Sequence, residues 1–205
     1  RGFNMLPLVL IGGGGHCKSC LDVIEAHGKF HPVGIIAKEI SNRNSLAGIP
    51  FIGTDKDISF LFPKYNNAFI TVGQISNSKT RKKLFKKMKS LGMNFPTILS
   101  PSALVSNSAK INDGTIIMHR SVLNAGVIIG CNTIINTMAL LEHDVEIGSH
   151  CHISTGAMVN GGVTIFDGSF VGSGAIIYQG VKIGRAGIIA AGAVVRKDVA
   201  DGELV

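Results

Sequence analysis

Across the second half of the chain, an aliphatic side chain recurs at every sixth position without a break. A period of six fits neither the 3.6-residue turn of an α-helix nor the two-residue alternation of a half-buried strand. It is the hexapeptide repeat of a parallel β-helix, in which each hexad supplies one short strand and one corner. The aliphatic positions are Leu99, Val105, Ile111, Ile117, Leu123, Ile129, Ile135, Leu141, Ile147, Ile153, Val159, Ile165, Val171, Ile177, Ile183, Ile189 and Val195.

The repeat predicts a regular prism of about five to six coils, because three hexads form one coil of about eighteen residues. We expect each aliphatic side chain to point inward and to stack on its equivalents one coil away, which gives a ladder-like core. A small residue often stands four positions later, as at Ala139 and Cys151, and it fits the narrow corner. Residues eighteen positions apart should therefore lie above one another.

The first half of the chain has a different pattern, which predicts a small, Rossmann-like α/β domain. A short apolar run is followed by four glycines and then by a helical pattern, which is the start of a βαβ unit. The predicted elements are a strand over Leu6–Ile11, a helix over Lys18–Ala26, strands over Val33–Ile36 and Ala68–Val72, and an amphipathic helix over Ser78–Leu91. We therefore expect two domains, residues 1–96 and residues 97–205.

The composition limits the classes of partner and the compartment. The formal net charge of +7 favours anionic ligands, and the few aromatic residues make phosphate-bearing small molecules a better fit than nucleic acid. No run of about eighteen uncharged apolar residues is present, so we expect no membrane insertion. Four cysteines are too few for a disulfide framework in a chain of 205 residues, which favours a cytoplasmic location.

His143 is the strongest candidate for chemistry at a predicted corner. The repeat places Ala125 one coil before it and Gly161 one coil after it. Its neighbours Glu142 and Asp144 are carboxylates, and a carboxylate beside an imidazole fixes its tautomer and makes it a better base. Gly161 could present an unobstructed backbone N–H to a developing oxyanion. From the residues alone, a solvated surface histidine is the alternative interpretation.

The sequence resembles the sugar acetyltransferases of the PglD and NeuD type. Three features carry the resemblance: the glycine loop that ends in His16, the Glu142-His143-Asp144 motif inside the hexads, and the order of the two domains. The resemblance implies that the second domain is an all-β left-handed parallel β-helix of the hexapeptide-repeat acyltransferase superfamily. It also implies a homotrimer with active sites between subunits, acetyl-CoA in the groove between adjacent β-helices, and no metal requirement.

The same resemblance implies roles for residues of the β-helix. His143 would be the general base, Asp144 would increase its basicity, and Gly161 would be the oxyanion-binding glycine. The positions that correspond to acetyl-CoA contacts are His152, Ser173 and Ala191.

In the first domain, the resemblance implies a site for the nucleotide part of a sugar substrate. Backbone N–H groups at the start of a helix attract phosphates, which gives this assignment a physical basis. Two departures from the family pattern concern Cys17, which replaces a small glycine, and Ala37-Lys38, which stands where relatives often carry an aspartate. The corresponding positions for substrate binding are Gly14, Gly15, His16 and Gly73.

The function implied by the resemblance is N-acetylation of a nucleotide-linked amino sugar, such as a UDP-4-amino-4,6-dideoxy-sugar, in bacterial surface-glycan biosynthesis. The acetyl group would pass directly from acetyl-CoA, with His143 as the base. Acetylation of a hydroxyl on sialic acid or another sugar is the enzymatic alternative, since a histidine base serves both reactions. A nucleotide-sugar-binding trimeric scaffold without activity is the non-enzymatic alternative.

Three further patterns carry less weight. Cys17 and Cys20 form a CxxC spacing, but a glycine loop before a β-helix is not a thioredoxin-like context. His150 and His152 could bind a metal beside His143, yet no second histidine stands in the column of His143. The lysines of residues 78–91 are interpreted as the solvated face of an amphipathic helix.

Overall fold

A computed structural model describes residues 5–39, 44–61 and 64–205, and their contacts form two compact units. The first unit comprises the chain up to Gly73 together with Thr80–Pro96, and the second comprises Gln74–Lys79 and Thr97–Val205. The six residues from Gln74 to Lys79 thus pack with the second unit, although they interrupt the first unit in sequence.

The first unit is an α/β unit around one five-stranded sheet, in the order β3-β4-β2-β1-β5. The pairs β1–β2, β1–β5 and β2–β4 are parallel, and β3 is antiparallel to β4. All the predicted elements are present, whereas β3, β4 and α2 have no counterpart in the prediction. The elements are β1 (Leu6–Ile11), α1 (Gly15–His27), β2 (Phe30–Ala37), β3 (Ser45–Leu46), β4 (Ile49–Thr54), α2 (Ile58–Leu61), β5 (Ala68–Ile70) and α3 (Lys79–Ser90).

Helix α3 packs on this sheet through an apolar face that includes one buried charge. Leu84 and Met88 are buried, as the helical pattern predicts. Arg81 is also buried, and its Nη1 donates to the carbonyl oxygens of Ile70 at 3.0 Å and Val72 at 2.6 Å. Burial lowers the pKa of the Arg81 guanidinium to about 10. Arg81 therefore fixes the backbone immediately after β5, which leads to Gly73.

The second unit is a parallel β-helix whose seventeen strands, β6–β22, have two residues each. Three parallel sheets form its sides, with six, five and six strands. The strands are Ile98–Leu99, Leu104–Val105, Lys110–Ile111, Ile116–Ile117, Val122–Leu123, Ile128–Ile129, Ile134–Ile135, Leu140–Leu141, Glu146–Ile147, His152–Ile153, Met158–Val159, Thr164–Ile165, Phe170–Val171, Ile176–Ile177, Lys182–Ile183, Ile188–Ile189 and Val194–Val195.

The predicted eighteen-residue register is observed on all three sides. On one side, for example, Leu123 pairs with Leu141, Leu141 with Val159, and Val159 with Ile177. The second residue of each strand points into a single core, and the small residues of the corners, such as Ala139, are buried in it. Parallel pairing buries these side chains between equivalent neighbours, so the aliphatic ladder is the core of the unit.

None of the helices within the described part of the chain has the length and the apolarity needed to span a bilayer.

The ladder predicts a large loss of stability when one core side chain is shortened. Ile153 is fully buried between Ile135 and Val171. Ile153→Ala should lower the free energy of unfolding by about 2–5 kcal/mol, because it removes buried methyl groups and leaves a cavity. Urea denaturation at a fixed protein concentration measures this loss. Glu146→Ala, at an exposed position of the same repeat, should change it by less than about 0.5 kcal/mol. Equal losses in the free energy of unfolding of the two variants would contradict a core built from inward-pointing aliphatic side chains.

Candidate active site

His143 lies at an exposed corner immediately after β13 (Leu140–Leu141). About 68% of its side chain is exposed, and its Nδ1 atom lies 3.0 Å from Oδ2 of Asp144. Asp144 has a φ of 58°, a left-handed conformation that aspartate adopts more readily than most residues. A carboxylate only accepts hydrogen bonds, so Nδ1 of the neutral imidazole carries the proton. The Nε2 atom therefore presents its lone pair and is able to accept a proton.

The corner one coil earlier leaves room for this carboxylate. A Cβ on Gly126 would lie 2.5 Å from Oδ1 of Asp144, and Gly126 has a φ of +76°. Both the space and the backbone conformation favour glycine there. The backbone N–H of Asp144 also donates to the carbonyl oxygen of Ala125 at 2.9 Å, so the Asp144 backbone is tied to the previous coil.

Gly161, one coil after His143, lies directly against the imidazole, as the eighteen-residue register predicts. A Cβ on Gly161 would come within 2.6 Å of Nε2 of His143. The Gly161 carbonyl accepts a hydrogen bond from the N–H of Gly180, and Gly162 donates to the carbonyl of His143. Within the described residues, the N–H of Gly161 has no acceptor, so this donor is available close to the base. An open cleft of about 400 Å³ surrounds it, lined by His143, Gly161, Gly162, Gln179 and Gly180.

Only one of the two carboxylates beside His143 contacts the imidazole. Oε2 of Glu142 instead accepts a hydrogen bond from Nδ2 of Asn124 at 2.8 Å. The strand directs Glu142 along the side of the coil, whereas Asp144 follows the corner around to the ring. Of the two carboxylates that flank His143 in the sequence, Asp144 is therefore the one that bonds the imidazole.

The three residues predicted to contact acetyl-CoA lie in two environments. Ser173 and Ala191 are exposed and stand in one column, where the N–H of Gly192 donates to the carbonyl of Ser173 at 2.9 Å. His152 is the first residue of β15 (His152–Ile153) and is 7% exposed. Its ring is bonded to Asn136 and to the backbone of Gln74. Asn136 lies sixteen positions away from His152, so the eighteen-residue columns do not reveal this contact, and Gln74 carries no signal in the sequence.

The residues predicted to bind the sugar nucleotide lie in the first unit, around the start of α1 (Gly15–His27). Gly12 leaves β1 with a φ of +116°, and a Cβ there would lie 2.5 Å from Val72. The cap residue Gly14 provides no side-chain hydrogen bond, and no atom would lie within 4 Å of a Cβ on it or on Gly15. This helix start is therefore uncapped and open, as an anion-binding loop requires.

Gly73 lies next to His16, which joins the fourth predicted position to this loop. A Cβ on Gly73 would lie 3.4 Å from Cβ of His16. The two residues follow different strands, β1 and β5, which are hydrogen-bonded neighbours in the sheet. The four predicted substrate-binding positions are thus at one end of one sheet.

The two thiols of the CxxC spacing are buried, and His150 lies apart from the strand that carries His152. Burial raises the pKa values of the Cys17 and Cys20 thiols, which disfavours the reactive thiolate. His150 lies at a corner with a φ of 59°, not on the strand face that begins at His152. Among residues 5–39, 44–61 and 64–205, no group of three or more His, Cys, Asp or Glu side chains is arranged to hold a metal ion.

Comparisons with known proteins identify the family. Residues 7–88 match the profile of the PglD N-terminal domain. A mutant of perosamine N-acetyltransferase from Caulobacter crescentus, in complex with CoA and GDP-perosamine, shares 31% identity over 97% of this chain and 92% of that one, with a TM-score of 0.87. The chain belongs to the PglD-like family of sugar acetyltransferases. The family and the fold class predicted from the sequence, including the left-handed β-helix, are confirmed.

Other comparisons agree with this PglD-like assignment. The acetyltransferase domain of PglB from Neisseria gonorrhoeae FA1090, in complex with acetyl coenzyme A, shares 30% identity over 98% of this chain and 96% of that one, with a TM-score of 0.87. WeeI from Acinetobacter baumannii AYE shares 23% identity and has a TM-score of 0.78 over 98% of this chain and 96% of that one, which shows the same fold. A search of curated protein sequences gives no significant match.

The contact between Gly161 and the imidazole predicts that a single methyl group displaces the base. In Gly161→Ala, the new Cβ would occupy the space next to Nε2 of His143, and the exposed imidazole would swing away. We expect acetyl transfer to fall by about 10- to 100-fold, because a small misplacement of a reacting group has effects of this size. Steady-state kcat measures the loss, and the thermal midpoint should stay within a few degrees of wild type. An unchanged kcat would show that this contact is not part of the site.

Proposed function

We propose that the chain is an acetyl-CoA-dependent N-acetyltransferase that acts on an amino sugar linked to a nucleotide. In this proposal, residues 1–96 bind the nucleotide sugar, and residues 97–205 bind acetyl-CoA and carry out the transfer. The observation that carries the proposal is the corner at His143, where Asp144 holds Nδ1 and leaves Nε2 against Gly161. Acyl transfer from a thioester needs a base and a hydrogen-bond donor to the oxyanion in the same site.

The proposed chemistry uses these groups in order. Nε2 of His143 takes a proton from the sugar amine as its nitrogen attacks the acetyl carbonyl carbon of acetyl-CoA. The N–H of Gly161 donates to the oxygen that becomes negative in the tetrahedral intermediate. The carbon–sulfur bond then breaks, and the leaving thiolate of CoA takes a proton from the imidazolium. The products are a sugar amide and CoA, and His143 returns to its neutral form.

Asp144 stabilises the charge that appears on the base during this cycle. When His143 becomes an imidazolium, its Nδ1–H faces the Asp144 carboxylate at hydrogen-bond distance. The same bond keeps the imidazole in the tautomer that has a lone pair on Nε2. Asp144 is therefore a positioning residue, and His143 is the catalytic residue.

Acetyl-CoA and the nucleotide-linked amino sugar are proposed to bind at the two sets of residues described above. Ser173, Ala191 and His152 would contact acetyl-CoA, with active sites formed between the subunits of a homotrimer. Gly14, Gly15, His16 and Gly73 would hold the nucleotide, where the uncapped start of α1 suits phosphate groups.

An amine acceptor is favoured over a hydroxyl acceptor by the similarity to perosamine N-acetyltransferase. Crystal structures of that enzyme in complex with GDP-perosamine and CoA include variants in which one histidine is replaced by asparagine or alanine. The candidate substrates are therefore GDP-linked as well as UDP-linked amino sugars. The proposed reaction belongs to bacterial surface-glycan biosynthesis.

Removing the base tests this proposal. His143→Ala should lower kcat by about 10²- to 10⁴-fold, because this is the usual contribution of a general base. Its Kd for CoA in isothermal titration calorimetry should stay within about twofold of wild type, since the exposed ring is not needed for folding. Near-normal turnover would contradict the assignment.

Asp144→Asn separates the positioning residue from the base. It keeps the size of the side chain but loses the negative charge that faces Nδ1–H, so kcat should fall by about 10- to 100-fold, less than in His143→Ala. The matched control is Glu146→Gln, which neutralises an exposed carboxylate on the next side of the same coil. Its kcat should be close to that of wild type. A control as impaired as Asp144→Asn would attribute the loss to net charge rather than to the contact with His143.

A further inference from the structure

Residues 74–79, called the strap below, are anchored on the β-helix by a buried glutamine. Gln74 is 2% exposed. Its Nε2 lies 3.0 Å from the carbonyl oxygen of His150 and 3.4 Å from two carbonyl oxygens of the next coil. Near the other end of the strap, Ser78 packs against Gly168, where a Cβ would lie 2.8 Å from the Ser78 hydroxyl. The strap is therefore fixed to two successive coils.

His152 lies against this strap in a column that is otherwise apolar. Its ring packs edge-on against Phe170 one coil later, with the ring centroids 5.3 Å apart. An aliphatic residue at this position would complete the column and would need no hydrogen bonds, so packing alone does not account for a histidine here. The other members of the column are Ile98, Ile116, Ile134, Phe170 and Ile188.

The hydrogen bonds of His152 define its tautomer. Nδ1 lies 2.5 Å from the backbone carbonyl oxygen of Gln74, and a carbonyl only accepts, so Nδ1 carries the proton. Nε2 lies 3.1 Å from Nδ2 of Asn136, which donates to it. The imidazole is thus held at both nitrogens, with the Nδ1 proton directed at the strap and the lone pair of Nε2 directed at Asn136.

Gln74 carries a cost that a purely structural anchor would avoid. Its Oε1 atom is buried and has no hydrogen-bond donor within the described part of the chain. A buried acceptor without a donor destabilises the folded state. Methionine would fill a similar volume without this cost, but it would lose the Nε2 bonds that hold the Gln74 backbone carbonyl against His152.

We propose that Gln74 is a positioning residue of the acetyl-donor site, which fixes the ring and the tautomer of His152. The proposal rests on the proposed function, in which His152 contacts acetyl-CoA. The Nε2 bonds of Gln74 hold the strap, the strap presents the Gln74 carbonyl, and the carbonyl keeps the proton of His152 on Nδ1. Gln74 touches neither substrate in this scheme and acts through His152.

The test replaces the amide of Gln74 and follows His152 directly. Gln74→Met removes the amide at similar length, and Gln74→Glu places a carboxylate oxygen opposite the carbonyls that Nε2 now faces. We expect the Kd for CoA, measured by calorimetry, to rise by about tenfold in Gln74→Met and further in Gln74→Glu, as for the loss of a polar contact. Nitrogen NMR of histidine-labelled protein at neutral pH should show the Nδ1–H form of His152 in wild type. In Gln74→Met, the spectrum should show a mixture of the two tautomers of His152. The signal of His152 is assigned by its absence from the spectrum of His152→Asn.

The control and the outcomes separate this proposal from the proposed function. Ser76→Ala changes an exposed residue of the same strap and should leave both the Kd and the tautomer of His152 unchanged. If wild type binds CoA and Gln74→Met keeps both the Kd and the Nδ1–H form, the positioning role is overturned while the proposed function stands. If wild type fails to bind CoA, the proposed function is overturned, and the tautomer in Gln74→Met still decides whether Gln74 fixes His152.

Discussion

The eighteen-residue register of the aliphatic ladder is the constraint on which the rest of the second unit depends. Each inward side chain is buried between its equivalents one coil before and after, as Leu141 is between Leu123 and Val159. A shift of one residue would expose the whole inward set, so the register is strongly specified. Because the core uses only the inward positions and the small corner residues, the outward corner positions are free to carry chemistry.

The stacked corners of the β-helix form the candidate active site. Stacked coils bring residues that are far apart in sequence to within contact distance, with no loop that must fold separately. Gly126 leaves space for Asp144, Asp144 holds His143, and His143 lies against Gly161. A side chain at either glycine would disturb this arrangement, although neither glycine contributes to the ladder. The site is therefore rigid for the same reason that the fold is regular, which suits a reaction that depends on prealigned groups.

The sequence predicted those parts of the structure that follow from periodicity. The ladder, the coil length and the contact of His143 with Gly161 all follow from positions that repeat every six or eighteen residues. Two features lie outside the repeat and were missed. Arg81 is buried within a basic helix, and Gln74 reaches His152 from a segment that precedes the repeat. Each depends on a side chain whose partner is set by tertiary packing, which a one-dimensional pattern does not encode.

The identity of the acetylated product tests the proposed N-acetyltransferase activity most directly. The purified protein would be incubated with acetyl-CoA and, separately, with GDP- and UDP-linked 4-amino sugars, free sialic acid and CMP-linked sialic acid. CoA release would be followed, and the products would be analysed by mass spectrometry. An N-acetyltransferase of this kind should release CoA and form a sugar amide with at least one nucleotide-linked amino sugar. An ester on sialic acid as the only product, or no CoA release with any of these sugars, would contradict it.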